Sequence, residues 1–480
     1  MIALVNTNRM TPVVAPLGLD YVAGAARAAG LEVEILDLCL AEDPEAAARR
    51  FFARLNPELV GLTFRNVDDC FWPSGRSFVE ELAGIVSLIR TLTEAPIVLG
   101  GVGFSIFGRR LVDRVGADFG IRGDGEQALI ALVGEIRGGE HLERVPGLIW
   151  RDAARALANE PAWPRELNVP TARDAIDNVS YFRLGGQAGV ETKRGCHRHC
   201  IYCADPVAKG PAVRQREPAE VANEVESLLR QGIDVLHLCD GEFNIPREHA
   251  RQVCEALIRR GLGERVRWYA YMSVVPFDAD LAAAMRRAGC AGVDFTGDSA
   301  SDLMLAGYRE AHRREDLAAA VGLCREQGIT VMIDLLLGGP GETPDTLADT
   351  IAFMKSIAPD CVGAPLGVRV YPDTPLAGIL AARGPLENVP GIRRAYDGPA
   401  DLLRPTFYIS PQLGEDPAAL VRDLIGGDER FFGPAEGGLP GDADEPQDHN
   451  YSHNSALVEA VRHGARGAYW DILRGLRARA

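Results

Sequence analysis

Three cysteines, Cys196, Cys200 and Cys203, stand within the run Gly195-Cys196-His197-Arg198-His199-Cys200-Ile201-Tyr202-Cys203. Their C-x3-C-x2-C spacing places three thiolates on one tight loop, where they can hold one face of an iron–sulfur cube. A [4Fe-4S] cube so held keeps one iron open for an exogenous ligand. A closed zinc site needs a fourth ligand, usually from a second pair of Cys or His. His197 and His199 could complete such a site. Folding five candidate ligands from eight residues around one tetrahedral ion is sterically poor, however. Chance proximity is weakened as an explanation by Tyr202, an aromatic residue directly before the last cysteine.

The chain that must position this loop has 480 residues, too many for one ordinary domain and enough for roughly two to four. Ten cysteines are too few for a disulfide scaffold, and the clustered ones point to metal binding in a reducing compartment. The other seven lack ligand spacing. Cys239, Cys254, Cys290, Cys324 and Cys361 read as small core residues, and Cys39 and Cys70 are too few for a second cluster. A net charge of −16 argues against a general nucleic-acid binder. No uncharged run reaches the length of a membrane span, and Met1–Asn6 reads as a buried first strand rather than a leader. The expectation is a cytoplasmic protein with neither nucleic acid nor membrane as a partner.

Over residues 1–150 short apolar runs alternate with amphipathic stretches. Ile2–Val5, Val33–Leu36, Leu59–Leu62, Ile97–Leu99 and Phe119–Ile121 read as strands, and Leu17–Ala29, Pro44–Arg54 and Ser77–Thr91 as helices. The alternation predicts a doubly wound parallel sheet, whose ligands gather outside the carboxyl ends of the strands. Those ends carry Thr63, Arg65 and Asn66, then Gly100, Gly101, Val102 and Gly103, then Gly123 and Glu126. Glycines there allow a large ligand close to the backbone, although each alone reads as a tight turn. No G-x-G-x-x-G opens the first helix, which disfavours a dinucleotide.

Val145–Trp150 reads as a last strand, and residues 151–180, rich in Ala and Pro, as a surface linker. Over residues 181–380 the strand–helix pattern resumes. After Val190–Thr192 come strands at Val235–Leu238, Trp268–Met272, Gly292–Phe295, Thr330–Leu337 and Gly367–Tyr371. Helices around Pro218–Gln231, His249–Arg260, Ala279–Gly289, Arg314–Gln327 and Pro344–Ile357 separate them. Six such units predict a partial (β/α)6 barrel. Residues 381–480 lose the alternation: Gly426–Pro446 reads as loop and Leu457–Leu476 as one amphipathic helix. By position this region should cap the open end of the barrel and shape a substrate pocket. Tyr408, His449, Tyr451 and His453 are its candidate contacts, though each alone reads as solvated surface.

The cysteine spacing with its aromatic resembles the signature of the radical S-adenosylmethionine (SAM) superfamily, which implies that the open iron chelates the amino and carboxylate groups of SAM. Other strand ends carry similar resemblances. Asp240-Gly241-Glu242-Phe243-Asn244 resembles the motif that bonds the SAM amino group, Gly297–Ser301 the ribose motif with Ser299, and Leu337–Thr343 the adenine region with Gly338. Val368–Leu376, with Arg369, resembles the family's closing "R-x-YPGTPL". Residues 1–150 resemble the cobalamin-binding domain found ahead of many such domains, through Pro16–Leu19, Pro57–Leu62, Val98–Gly101 and Arg122–Glu126. One departure matters. No histidine precedes His141, so the D-x-H-x-x-G histidine that ligates cobalt is absent, and bound cobalamin is expected base-off and His-off. Arg65 is the candidate for the lower face of the cobalt, with a salt bridge to Asp68 or Asp69 an equal reading.

The resemblance implies a cobalamin-dependent radical SAM methyltransferase acting on an unactivated carbon or phosphorus of a small molecule or peptide. In the family mechanism one SAM methylates cobalamin and a second is reductively cleaved at the cluster, giving a radical that activates the substrate. That implies an electron donor such as flavodoxin or ferredoxin. A rearrangement or ring contraction without methyl transfer is the alternative. A non-catalytic cobalamin sensor fits less well, because the SAM motifs are present.

Overall fold

The computed structural model describes residues 1–139, 141–152, 155–434 and 450–478. Strands β1 (Ile2–Asn6), β2 (Val33–Asp37), β3 (Leu59–Thr63), β4 (Ile97–Gly100) and β5 (Phe119–Ile121) form a parallel sheet in the order 2-1-3-4-5. Every residue of β1 is buried, as a strand covered on both faces requires. Helices Leu17–Ala28, Pro44–Arg54 and Val79–Arg90 cover the sheet. The second of these starts as its sequence predicts: the Asp43 carboxylate accepts from Ala46 N at 2.9 Å, and Pro44 opens the first turn. The sheet then runs past residue 150. Strands β6 (Leu148–Asp152) and β7 (Arg155–Ala158) add an antiparallel hairpin at its edge, so the sheet is mixed and the start of the expected linker belongs to it.

The central region is a curved parallel sheet. From one edge it runs β8 (Ala188–Val190), β11 (Val235–Leu238), β12 (Arg267–Ser273), β13 (Cys290–Asp298), β14 (Thr330–Leu335), β15 (Cys361–Gly363) and β19 (Phe431–Phe432). Between β8 and β11 the short pair β9 (Lys193–Arg194) and β10 (Arg214–Gln215) brackets the cysteine loop. The expected barrel is present, with two corrections. Its sixth strand is β15, not Gly367–Tyr371, and β19 adds a seventh. Gly367–Tyr371 instead contributes β16 (Val368–Arg369) to a small antiparallel sheet with β17 (Ile392–Arg394) and β18 (Thr406–Tyr408). Three-residue Cys361–Gly363 is too short to show a period, whereas the longer apolar run beside it does.

The final expected helix is two. Ser455–Arg462 and Tyr469–Arg477 are separated by a turn in which Gly464 and Gly467 take positive φ values of 95° and 150°. Leu457, Val461, Trp470 and Leu473 pack against Val235, Tyr269, Met332 and Cys361, in the amino-terminal halves of the barrel strands. The carboxyl-terminal region therefore closes the barrel from below, while Tyr451 and Tyr469 reach its working end.

Arg173 joins the two large units. It is 2% exposed; its Nε donates to Asp20 Oδ2 at 2.6 Å and its Nη1 to Glu224 Oε1 at 2.7 Å. Arg216 holds the other oxygen of Glu224 at 2.6 Å, and Tyr21 donates to Glu224 at 2.8 Å. Asp20 and Tyr21 belong to the first unit, Arg216 and Glu224 to the barrel. Removing one partner from such a network strands buried charge. Arg173→Met is expected to lower unfolding free energy by about 3–5 kcal/mol, read from denaturant midpoints. Arg49→Met, which loses only the exposed pair with Glu45, should leave the midpoint nearly unchanged.

Candidate functional site

The cysteine loop is fixed at both ends by backbone. Gly195 takes φ 85°, and a Cβ there would sit 2.2 Å from Ala212 O, so only glycine fits. Cys196 N donates to Gly210 O, Ile201 N to Tyr308 O, and Leu376 N to Ile201 O. Arg198 reaches across to Ser273 Oγ and Val275 O at 3.0 and 2.6 Å. Burial raises the pKa of all three thiols, with the charge of Glu310 adding at Cys200 and that of Asp205 at Cys203. Cys203 also feels Cys196, and Cys200 feels Cys203. His197 and His199 are exposed, and among the described residues no three Cys, His, Asp or Glu side chains close on a single-ion site. Tyr202 donates to Asp298 Oδ2 at 2.6 Å and meets Tyr308 edge-on at 5.8 Å between ring centres.

At the neighbouring strand ends the candidates divide. Asp240 is committed to the protein: its carboxylate accepts from Thr192 N, Thr192 Oγ1, Lys193 N and Lys193 Nζ at 2.5–3.1 Å, which hold its pKa down against burial. Gly241 passes so close to Asp205 that a Cβ would lie 2.8 Å from Oδ2. Glu242 is different. Oε1 accepts from Thr296 Oγ1 at 2.9 Å, while buried Oε2 has no partner among the described residues. Burial pushes its pKa up to about 8. Ser299 bonds Thr350 Oγ1 at 2.9 Å and Ser301 N at 3.1 Å, shaping the loop after β13. Gly338 N donates to Glu342, whose pKa burial raises to about 7. Arg369 is buried in an ion pair with Asp68 at 2.8 Å and in bonds to the carbonyls of Val370 and Leu402. Its guanidinium ties the two units together.

Between the units lies a cavity of about 720 Å³, lined by the strand ends of the first sheet, by the barrel and by Asn450–Ser452. Thr63, Arg65, Asn66, Gly100, Gly101, Val102, Gly123 and Glu126 all line it. Their roles differ. A Cβ on Gly100 would meet open space, whereas one on Gly101 (φ 104°) would sit 2.7 Å from Phe64 O and one on Gly103 2.9 Å from Arg65 O. Gly101 and Gly103 thus let two loops press together and hold Arg65 in place, rather than making room for a ligand. Gly123 leaves space for the Trp163 ring. Glu126 receives both Nη atoms of Arg194 at 2.8 and 3.1 Å. Val102, apolar yet 40% exposed, faces the cavity. Arg65 makes no ion pair with Asp68 or Asp69 among the described residues: Asp68 pairs with Arg369, Asp69 bonds Ser74 and Asn450, and Arg65 Nη1 donates to Asn66 Oδ1 at 2.9 Å.

Several wall residues went unmarked in the sequence, among them His237, Cys239, Tyr271 and Tyr469. Burial, then the charge of Arg65, lowers the pKa of His237 to about 4, leaving a neutral imidazole in the wall. Alternation along β11 and β12 could have marked His237 and Tyr271 as facing inward. Of the carboxyl-terminal candidates, Tyr451 lines the cavity, His453 meets Thr11 Oγ1 at 3.2 Å, and Tyr408 is buried among Met304, Val368 and Leu380. His449 lies outside the described residues.

Two family models match: the radical SAM superfamily over residues 190–354 and the B12 binding domain over residues 4–133. The chain is 29% identical to tryptophan 2-C-methyltransferase of Streptomyces laurentii, over 98% of this chain and 95% of that one. It is 32% identical to the radical SAM methyltransferase TsrM of Kitasatospora setae, solved with tryptophan and a SAM analogue. The two superpose with a TM-score of 0.92 over 99% of this chain and 98% of that one. The chain belongs to the TsrM-type cobalamin-dependent radical SAM methyltransferases. OxsB, at 18% identity, shares the fold with a TM-score of 0.72 over 85% of this chain and 64% of its own.

The cofactors of a TsrM-type methyltransferase are cobalamin, a [4Fe-4S] cluster and SAM, and this chain has residues that fit each. Three thiols on one loop suit a cluster with an open iron. The unpartnered Glu242 oxygen suits an ammonium. Asn8 Nδ2, Gln187 Oε1 and Ser452 Oγ are buried without partners among the described residues and belong to residues lining the cavity, which suits the amide-bearing rim of a corrin. Among the described residues no helix is long and apolar enough to cross a membrane.

Two outcomes follow from this geometry. Replacing Cys196, Cys200 and Cys203 together by Ala should abolish the broad iron–sulfur absorbance of the reconstituted protein, while His197→Ala and His199→Ala keep it. Gly100→Ala should weaken cobalamin retention on gel filtration without lowering the unfolding midpoint. Gly101→Ala should lower the midpoint as well, since it forces a Cβ into backbone at positive φ.

Proposed function

We propose that the protein methylates a ring carbon of tryptophan or a closely similar aromatic amino acid. The observation that carries this reading is the end-to-end match to two tryptophan-linked relatives, one superposing at a TM-score of 0.92 with tryptophan bound. The cavity agrees, since the aromatic side chains Tyr271, Tyr451, Tyr469 and Trp470 line the side facing the barrel. When bound, cobalamin supplies the methyl group, and SAM at the cluster supplies its replacement.

The chain's own residues then have assignable work. Cys196, Cys200 and Cys203 hold the cluster and Glu242 receives the SAM ammonium. Tyr202 orients Asp298 beside them, and the loop bonds of Ser299 and Gly338 keep the strand ends in shape. Thr63, Asn66, Gly100, Val102 and Gly123 form the cobalamin wall. Arg65, held by the Gly101 and Gly103 contacts, is the side chain for the lower face of the cobalt. The clamped interface holds the two walls of the shared cavity at a fixed separation. A one-electron donor of the flavodoxin or ferredoxin class is the partner that such a redox site calls for.

Anaerobic incubation with SAM, a reductant and tryptophan should give a methyl-sized mass increase on tryptophan. Absence of that product, with methylation of an unrelated compound instead, would sink the substrate assignment. A second measurement concerns Glu242. In SAM-free protein its carboxyl is neutral below about pH 8, and pairing with an ammonium requires the carboxylate. SAM binding at pH 7 should therefore release a proton from Glu242, and this release should fade as pH rises through about 8. Calorimetry in buffers of different ionisation enthalpy reads it as a difference that Glu242→Gln removes. That variant should also bind SAM more weakly, by about 1.5–3 kcal/mol.

A further inference from the structure

Beside and below Thr296, the residue that touches Glu242, lie two acids with no part in the reading above. Strand register sets Tyr271 of β12 beside Asp294 of β13, and Thr296 of β13 beside Asp334 of β14. Residues two apart on a strand share a face, so these four side chains lie on one face. That face is the lumen: Ala270, Met272, Val293, Phe295 and Ile333, which alternate with them, belong to the core beneath the outer helices. Thr296 marks the upper end of the row, because its hydroxyl reaches Glu242. Tyr269, Met332 and Cys361 close the lower end against Trp470 and Leu473.

Asp294 is 2% exposed, and neither of its carboxylate oxygens has a hydrogen-bond donor among the described residues. On the next strand Met332 stands level with it, and Asp334, two residues further along the same face, sets a second carboxyl diagonally beside it. Burial and this proximity raise the pKa of Asp294, and burial carries Asp334 to about 7. Tyr271 and Tyr451 sense both acids and also line the interdomain cavity, so they connect the pair to it. A buried carboxylate lacking donors is costly to keep in a folded chain. A cationic ligand bringing several N–H donors removes that cost.

We propose that Asp294 and Asp334 together receive the substrate's ammonium group in the barrel lumen, with Tyr271 and Tyr451 against its carbon skeleton. The assignment rests on the reading of the substrate as an aromatic amino acid and adds the group that anchors it. It separates two ammonium sites on one row, Glu242 for SAM above and the aspartate pair for substrate below. The substrate's ring is then left to extend upward from its anchor toward the cavity.

The test is a ligand series on the reconstituted holoenzyme: tryptophan, tryptamine, which keeps the amine, and indole-3-propionate, which lacks it. Tryptophan and tryptamine should bind roughly ten- to hundredfold more tightly than indole-3-propionate, the span expected for charge-assisted hydrogen bonds. Asp294→Asn and Asp334→Asn should raise KM for tryptophan by a similar factor, leaving indole-3-propionate and SAM affinity unchanged. The wild-type series carries the test by itself if either variant loses its cofactors. Equal affinity for tryptophan and indole-3-propionate would overturn the anchor and leave the tryptophan reading standing. A fall in kcat at unchanged KM in Asp294→Asn would also overturn it, in favour of proton transfer. Failure of all three compounds to bind would overturn both.

Discussion

The buried charge network at Arg173 is the constraint on which the working geometry depends. One guanidinium from the connecting segment satisfies Asp20 of the first unit and Glu224 of the barrel, and Arg216 and Tyr21 complete the carboxylate of Glu224. Two further ties, Arg194 to Glu126 and Arg369 to Asp68, lie along the same interface. None of these groups can move far without leaving a charge unpaired in a dry environment. The interface is thereby locked in distance and angle, and the cavity it encloses has fixed walls.

Fixed walls matter because several of the groups facing them are individually unfavourable. Among the described residues, Asn8, Gln187 and Ser452 keep polar atoms without partners in the cavity wall, and in the barrel behind it Glu242 keeps an oxygen without a donor and Asp294 two. Such groups would be satisfied by water or by a rearranged neighbour if the surroundings were soft. Their pattern is divided, with amide and hydroxyl groups in the cavity wall and acids in the barrel. Asp240 shows the contrast, since four donors within 3.1 Å turn an apparently similar carboxylate into a structural staple for the cysteine loop.

Much of this was legible in the sequence wherever local pattern and final role coincide. Arg314–Gln327 and Pro344–Ile357 are helices over the expected residues, and Thr343 caps the latter through Thr346 N at 3.2 Å. The cysteine spacing and the strand-end motifs led to the methyltransferase with cobalamin, cluster and SAM that the relatives establish. What stayed hidden depends on long-range partners. Arg369 sits in a family motif, yet its partner Asp68 lies 301 residues away. Glycines read as room for a ligand proved, at Gly101 and Gly103, to be places where two backbones touch. Cys361–Gly363 and Phe431–Phe432 are too short to carry a period, and the acids of β13 and β14 look like interruptions in apolar strands until register puts them diagonally on one face.

The helices Ser455–Arg462 and Tyr469–Arg477 give the barrel a floor. With its lower end packed shut by their side chains, the lumen opens toward the interdomain cavity, and a group lodged beside Asp294 lies between that opening and a floor of Trp470 and Leu473. Depth in such a lumen is a ruler: the distance from floor to mouth sets how much of a molecule stands inside the barrel and how much projects into the space shared with the first sheet.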